Sequence, residues 1–263
     1  MDMGLKGKVA IIGGSSKGLG KACAMSLSRE GADVVICARN QSELDKTANE
    51  IRKTFYNKVI AITADLSSYD DIKLIVKKTI KEFDKIDILV NNTGGPTPGG
   101  FFDLDDQAWE TAFQKLLMYI VRMCREVIPY MQAQNWGRII NLTSFTVKEP
   151  ADRLVLSNVF RTGVISLAKT LSRELGKYNI TVNNICPGSF ETERMKQIFE
   201  ERSANSGKSV EELKNELIET IPIKRMQRPE ELADLVTFLA SENASAITGT
   251  SIQVDGGMIK GLF

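Results

Sequence analysis

The sequence predicts a single α/β domain, doubly wound around a mostly parallel sheet of seven strands. Three observations carry this expectation. Short apolar, β-branched runs recur along the chain. Charged amphipathic segments separate most of them, long enough to serve as crossover helices. The first run ends in a glycine-rich loop that opens into a helical pattern. Such alternation buries a parallel sheet beneath helices on both faces. No repeat, low-complexity tract or linker interrupts residues 1–263, so one domain is expected over that span.

The elements follow in order. KVAIIGG (8–14) reads as a strand ending in glycines. GKACAMSLSREG (20–31) has helical spacing, with Gly31 suited to its C-terminal end. DVVICAR (33–39) is a second strand, and SELDKTANEIRKTF (42–55) a charged helix with Ser42 and Asp45 suited to its start. KVIAITADL (58–66) is the third strand, DDIKLIVKKTIKEF (70–83) a helix and DILVNNTGG (87–95) the fourth strand. A long helix is expected over 105–132, then a strand in GRIINLTS (137–144). LVLSNVFRTGVISLAKTLSRELGKY (154–178) has helical spacing, and NITVNNICPG (179–188) is the sixth strand. A helix (229–241) and a last strand, GTSIQVDGG (249–257), close the pattern.

Residues 189–228 break the rhythm with a highly charged excursion. SVEE at 209–212 fits a capping box, so two helices around a polar turn are expected. Their position after strand six suits a helical lid over the carboxyl ends of the strands.

Composition excludes several functions. A net charge of +1 gives no global attraction to nucleic acid or anionic membrane. No apolar run is long enough to cross a bilayer, and the start of the chain lacks the pattern of a signal peptide. Cys23, Cys37, Cys124 and Cys186 are widely spaced and read as buried thiols, which suits a reducing, cytoplasmic setting. The chain has no histidine. An imidazole base, a Ser-His-Asp triad and every histidine-containing metal site are therefore excluded, and no metal site is expected.

The loop GGSSKGLG (13–20) carries Gly14-x-x-x-Gly18-x-Gly20 between a strand and a helix. Glycines there permit close approach of a pyrophosphate, and the helix start supplies free N–H groups. Ser16, Lys17 and Leu19 lie in the same loop. The second strand ends Cys37-Ala38-Arg39-Asn40, without the acid that would bind the free 2′-hydroxyl of NAD. Arg39, aided by Lys17, suits a 2′-phosphate instead. The cofactor expected from these residues is NADP(H).

LVLSNVFRTG (154–163) places Ser157 and Arg161 four apart in an apolar helix, hence on one face. An arginine in such a place needs a partner.

These motifs, with Asp65-Leu66, Asn92-Thr93-Gly94, Ser144 in NLTS, Pro187-Gly188 with Thr192, and IQVDGG (252–257), fall in one order and at one set of spacings. The chain resembles the short-chain dehydrogenase/reductase family over nearly its whole length, and most of all its 3-oxoacyl-(acyl carrier protein) reductases. The resemblance implies a Rossmann-type fold, a small-molecule substrate and a homotetramer built through the helices near 105–132 and 154–175. It implies that Asp65 and Leu66 contact the adenine. Asn92 and Gly94 would line the nicotinamide side, and Pro187, Gly188 and Thr192 would hold the nicotinamide.

The family's active site has Asn, Ser, Tyr and Lys. Here the serine is Ser144, Ser157 stands for Tyr, Arg161 for Lys, and Leu116 for Asn. A serine hydroxyl is shorter and far less acidic than a phenol, and arginine is no acid near neutrality. Ser144, Arg161 and Ser157 remain the candidate catalytic residues, with Arg161 also a cation for the cofactor ribose or a substrate anion. Tyr119 and Glu149 are candidate proton donors. Three functions fit: an oxidoreductase with an atypical site, a non-catalytic NADP(H) sensor or partner subunit, and a non-redox enzyme. Phe101, Phe102, Phe145 and Phe190 suggest apolar pocket walls. An acyl carrier protein favours a basic entrance, and the nearly neutral MQAQNWGR (131–138) is poorly suited to one.

Overall fold

The computed structural model describes residues 2–262. Its center is a seven-stranded parallel sheet in the order β3-β2-β1-β4-β5-β6-β7. The strands are β1 (Val9–Gly13), β2 (Asp33–Ala38), β3 (Val59–Thr63), β4 (Ile88–Asn91), β5 (Gly137–Leu142), β6 (Ile180–Pro187) and β7 (Ser251–Val254). The chain winds outward from β1 to β3, then returns to place β4 on the other side of β1. A crevice opens where the winding direction changes, at the carboxyl ends of β1 and β4.

Alternation along each strand sorts side chains between two cores. Ala10, Ile12, Val34 and Ile36 pack against α1 (Gly18–Arg29), α2 (Gln41–Thr54) and α9 (Pro229–Ala240). Ile11, Val35, Leu89 and Ile139 pack on the other face against α3 (Tyr69–Phe83), α5 (Tyr119–Ala133) and α6 (Val155–Leu175). Both faces are covered, so most of these strands are apolar at consecutive positions. Asparagines are the exception. Asn91, Asn141 and Asn184 stand in register on neighboring strands. The Asn91 amide donates to Asn141 Oδ1 at 2.9 Å, and the Asn141 amide to Asn184 Oδ1 at 3.0 Å. This polar ladder crosses the middle of the sheet just below the crevice.

The helix expected over 105–132 is continuous but not uniform. α4 (Asp106–Ala112) passes through a π-helical turn, Phe113–Met118, into α5. The extra residue in a π turn rotates the side chains around it, and such turns collect at functional sites. The helix expected to start at Ser42 starts one residue earlier. Asn40 caps it, its side chain accepting from Glu43 N at 3.0 Å. Gly31 ends α1 as expected, with φ at +90°.

Residues 189–228 contain α7 (Glu193–Ser206) and α8 (Val210–Thr220). Gly207, at φ +72°, turns the chain between them, and Ser209 and Glu212 form the expected capping box. Phe199, Leu213, Ile221 and Met226 give this segment a small core of its own. No helix among the described residues is long and apolar enough to cross a membrane.

Candidate active site

The crevice is a cleft of about 1380 Å³ at the carboxyl ends of the strands. Gly14 and Gly18, at φ +56° and +58°, shape the loop after β1. A Cβ on Gly14 would stand 2.8 Å from the Asn92 amide nitrogen. That amide donates to the carbonyls of Gly13 at 3.1 Å and Gly14 at 3.3 Å, so Asn92 ties the end of β4 to the glycine loop. Beneath the loop, Ser15 is fully buried and its hydroxyl donates to Ile12 O at 2.8 Å. α1 then starts without an acidic residue in its first turn, which leaves its positive end open to an anion.

Ser16, Lys17, Leu19, Arg39, Asn40, Asp65, Leu66, Gly94, Pro187, Gly188 and Thr192 also line the cleft. Gly20 does not; it lies beneath the loop, where a side chain would collide with the Gly14 carbonyl. Lys17 and Arg39 are exposed and form no ion pair among the described residues. The Asp65 carboxylate accepts from Ser67 N at 2.9 Å and Ser67 Oγ at 2.7 Å. The Ser67 N–H, then its hydroxyl and the nearby Arg39 and Lys115, hold the Asp65 carboxyl below the usual carboxylate range. Thr192 Oγ1 accepts from Met195 N at 3.3 Å and so starts α7, which brings Arg194 into the cleft wall.

The residues expected to be catalytic lie at the end of β5 and on α6, and none of the three is among the residues that line the cleft. Ser144 is half-buried, and its Oγ accepts from Thr146 N at 3.2 Å. Its own proton stays available to a carbonyl oxygen. Ser157 is buried and shares a hydrogen bond of 3.1 Å with Thr146 Oγ1. Arg161 donates through Nη1 to Leu142 O at 2.9 Å and Thr143 O at 2.8 Å. Its partner is therefore the strand's carboxyl end, not a carboxylate. Burial pulls its guanidinium down to about 10, which still leaves it charged near neutrality. Leu116 joins Ala112 and Leu156 in an apolar cluster with Trp109 and Phe160.

Several expectations need correction. Tyr119 is fully buried, with its OH accepting from Asn92 N at 3.2 Å beneath the glycine loop. Fully buried and outside the cleft lining, Tyr119 braces the loop and cannot reach a substrate; burial also holds its phenol well above the ordinary value. Glu149 is exposed and accepts from Lys260 N at 3.3 Å, away from the cleft wall. Of the four phenylalanines, only Phe190 lines the cleft. Phe101 and Phe102 are exposed and meet edge to face at 5.1 Å.

Two residues were missed. Thr146 bridges Ser144 and Ser157, and its position two after Ser144 was the available signal. Lys115, beside Leu116, belongs to none of the motifs read from the sequence. The π turn aims it into the cleft, where Nζ donates to Gly95 O at 3.0 Å. Burial, then Arg39 and Arg161, pull its ammonium down from the usual lysine range.

The comparisons agree with this architecture. Residues 14–259 match the family model described as enoyl-(acyl carrier protein) reductase. An uncharacterized oxidoreductase of Bacillus subtilis, YvrD, is 35% identical over the whole of both chains. The chain belongs to the short-chain dehydrogenase/reductase family. A 3-oxoacyl-(acyl carrier protein) reductase, FabG, of Staphylococcus epidermidis is 31% identical, over 95% of this chain and 98% of its own. L-sorbose reductase from Gluconobacter frateurii, solved with NADPH and L-sorbose, superposes with a TM-score of 0.96 at 34% identity, covering 100% of both chains. YwfH, an NADPH-dependent reductase of bacilysin biosynthesis, superposes with a TM-score of 0.92 at 30% identity, over 97% of this chain and 99% of its own. Short-chain family membership fits the observed Rossmann-type sheet order and the site at its switch point.

Proposed function

We propose that the protein is an NADP(H)-dependent oxidoreductase acting on a carbonyl or alcohol, reductase-like in the 3-oxoacyl sense, with an atypical active site. One observation carries this: an intact glycine loop faces a β2 end where Arg39 stands in place of an acid. The residues fit the dinucleotide. Gly14 lets the backbone approach a pyrophosphate, the start of α1 offers N–H groups, and Lys17 and Arg39 suit the 2′-phosphate. Solved relatives contain NADPH, in line with this choice.

When bound, the nicotinamide supplies or accepts the hydride. Pro187, Gly188 and Thr192, which line the cleft, would hold that end of the cofactor. Ser144 donates its hydroxyl proton as a hydrogen bond to the substrate oxygen. Arg161 spends two of its five N–H donors on Leu142 and Thr143 and keeps its positive charge beside the end of β5. Water in the open cleft delivers the proton, because neither Ser157 nor Tyr119 can. α7 and α8 act as a lid, supported by the α7 residues that line the cleft. The assembly is a homotetramer through α4–α5 and α6, supported by exposed Phe101, Phe102 and Val159 beside the Trp109–Phe160 contact.

A second reading keeps cofactor binding but no hydride transfer. The inward bond of Ser157 to Thr146 and the apolar surroundings of Leu116 favor it. A screen of NADPH oxidation with 3-oxoacyl thioesters, ketoses and simple ketones separates the two. Oxidation that falls by about a hundredfold in Ser144→Ala, with NADPH binding retained, supports the oxidoreductase. Saturable binding without oxidation of any substrate class supports the second reading.

A further inference from the structure

Lys115 brings an ammonium to the strand end next to the one that Ser144 follows. It is half-buried in the cleft wall, on the π turn that leads into α5. Its Nζ donates to the Gly95 carbonyl at 3.0 Å and lies against Gly94, where a Cβ would be 3.7 Å away. Strands β4 and β5 pair in parallel, with Asn91 opposite Asn141. Gly94 and Ser144 each follow that pair by three residues, so the ammonium and the Ser144 hydroxyl stand over adjacent strand ends. π turns collect at functional sites, and this one places Lys115 in the cleft.

Other groups that line the cleft are less suited to pass a proton. The Tyr69 hydroxyl is spent on Glu126 at 2.6 Å. Asp65 is bound by Ser67, and its carboxyl is held below the usual range. Arg39, Arg122 and Arg194 are no acids near neutrality. Lys115 makes no ion pair among the described residues, and Gly95 takes one of the three N–H bonds an ammonium offers. Burial, then Arg39 after β2 and Arg161 on α6, lower its ammonium from the usual lysine range; Asp65 after β3 opposes them, and Arg194 on α7 adds to them. On its own helix, Glu110 lines the cleft and accepts from the Gln114 amide at 2.7 Å. A lowered ammonium is the better acid at working pH.

We propose that Lys115 is a catalytic residue, the last carrier of the proton that water brings to the substrate oxygen. The proposal rests on the oxidoreductase reading above. Ser144 donates its hydrogen bond to that oxygen from the β5 side, and Lys115 reaches it from the β4 side. In the reduction step the carbonyl carbon accepts hydride from the reduced nicotinamide, which is thereby oxidized, and the C=O π pair moves to oxygen. The Lys115 N–H bond breaks as the O–H bond forms, leaving a neutral amine. Water in the open cleft then returns a proton to Nζ.

The experiment compares wild type, Lys115→Met and Lys115→Arg, using NADPH and the best substrate of the screen above. Lys115→Met is expected to lower kcat by roughly 10²–10⁴-fold, the usual contribution of a positioned general acid. Lys115→Arg keeps the charge but holds its proton, so it is expected to stay within about tenfold of the Met variant. Both are expected to bind NADPH within about threefold of wild type. In wild type, kcat/KM falls as pH rises and the ammonium is lost; that fall is absent from both variants. Acetic anhydride labeling of the cofactor-free protein across pH, read by peptide mass spectrometry, is expected to give Lys115 a midpoint below the usual lysine value. Turnover restored by Lys115→Arg, or a Met variant within about threefold of wild-type kcat, overturns the inference. So does a loss of NADPH affinity as large as the loss of turnover, or a labeling midpoint at the usual lysine value. A wild type that binds NADPH but oxidizes it with no substrate overturns the oxidoreductase reading itself, a different result from any of these.

Discussion

The cleft around the glycine loop and the region at the end of β5 treat their polar groups in opposite ways. Around the glycine loop, polar and charged groups point outward. Lys17 and Arg39 are exposed and unpaired among the described residues, and the start of α1 is left open. The few inward bonds, from Asn92 and Ser15, shape the loop without closing it. Around the end of β5, polar groups turn inward. Ser157 bonds Thr146, Arg161 bonds two strand carbonyls, and Leu116 sits in an apolar cluster. Ligand-binding surface leaves donors unspent, while structural surface satisfies them internally. The difference teaches that the cofactor half is built for an absent anion. At the end of β5, Ser144 keeps a hydroxyl proton that it does not donate to a neighbor, while Ser157 and Arg161 spend donors on Thr146, Leu142 and Thr143.

The largest test of this contrast restores the missing groups. Ser157→Tyr with Arg161→Lys is expected to raise ketone reduction by roughly 10²–10⁴-fold, the usual contribution of a positioned general acid. Steady-state turnover with NADPH reads it. No gain would mean that the inward half is not merely short of a proton donor.

Gly14→Ala attacks the outward half. The new Cβ meets the Asn92 amide, and φ at +56° is strained for alanine. A cost of about 1–3 kcal/mol is expected, or roughly 5- to 150-fold in NADPH affinity if it falls on the bound loop. Fluorescence titration reads it.

Arg161→Met tests whether the inward bonds are structural. It leaves the Leu142 and Thr143 carbonyls without their shared donor. A loss of about 2–4 kcal/mol in unfolding free energy is expected from charge-assisted bonds of this kind. Denaturant titration measures it, and a loss below about 0.5 kcal/mol would show that the arginine is held for the ligand alone.

Tyr119→Phe is the smallest change. It leaves Asn92 N without its hydroxyl partner and is expected to cost about 1–3 kcal/mol of stability. Turnover should stay within about twofold, since the phenol lies beneath the loop. A collapse in turnover at retained fold would restore Tyr119 as a proton donor.

The fold was largely legible because periodicity and glycine placement report local geometry directly. Alternation of strands and helices, the Gly14–Gly20 loop and the Ser209–Glu212 capping box all stand where the sequence puts them. Site residues carried by the backbone, such as Gly14 and Thr192, were legible for the same reason. Side-chain direction was not. The π turn that carries Lys115 is not written in the local sequence, while Leu116, within it, packs in one apolar cluster with Leu156, forty residues away. Tyr119 carried the right chemistry for a proton donor, and only the tertiary fold shows its hydroxyl spent on Asn92. Phe101 and Phe102 looked like pocket walls because apolar residues near strand ends usually are. Their exposure depends on where the loop before α4 lies.

The most direct measurement is a paired titration of the wild-type protein with NADPH and NADH. Saturable binding is expected for both, with NADPH tighter by about tenfold or more, from the 2′-phosphate contacts of the outward half. No saturation with NADPH, or tighter binding of NADH, would contradict the claim that this cleft is built around the phosphates of NADP(H).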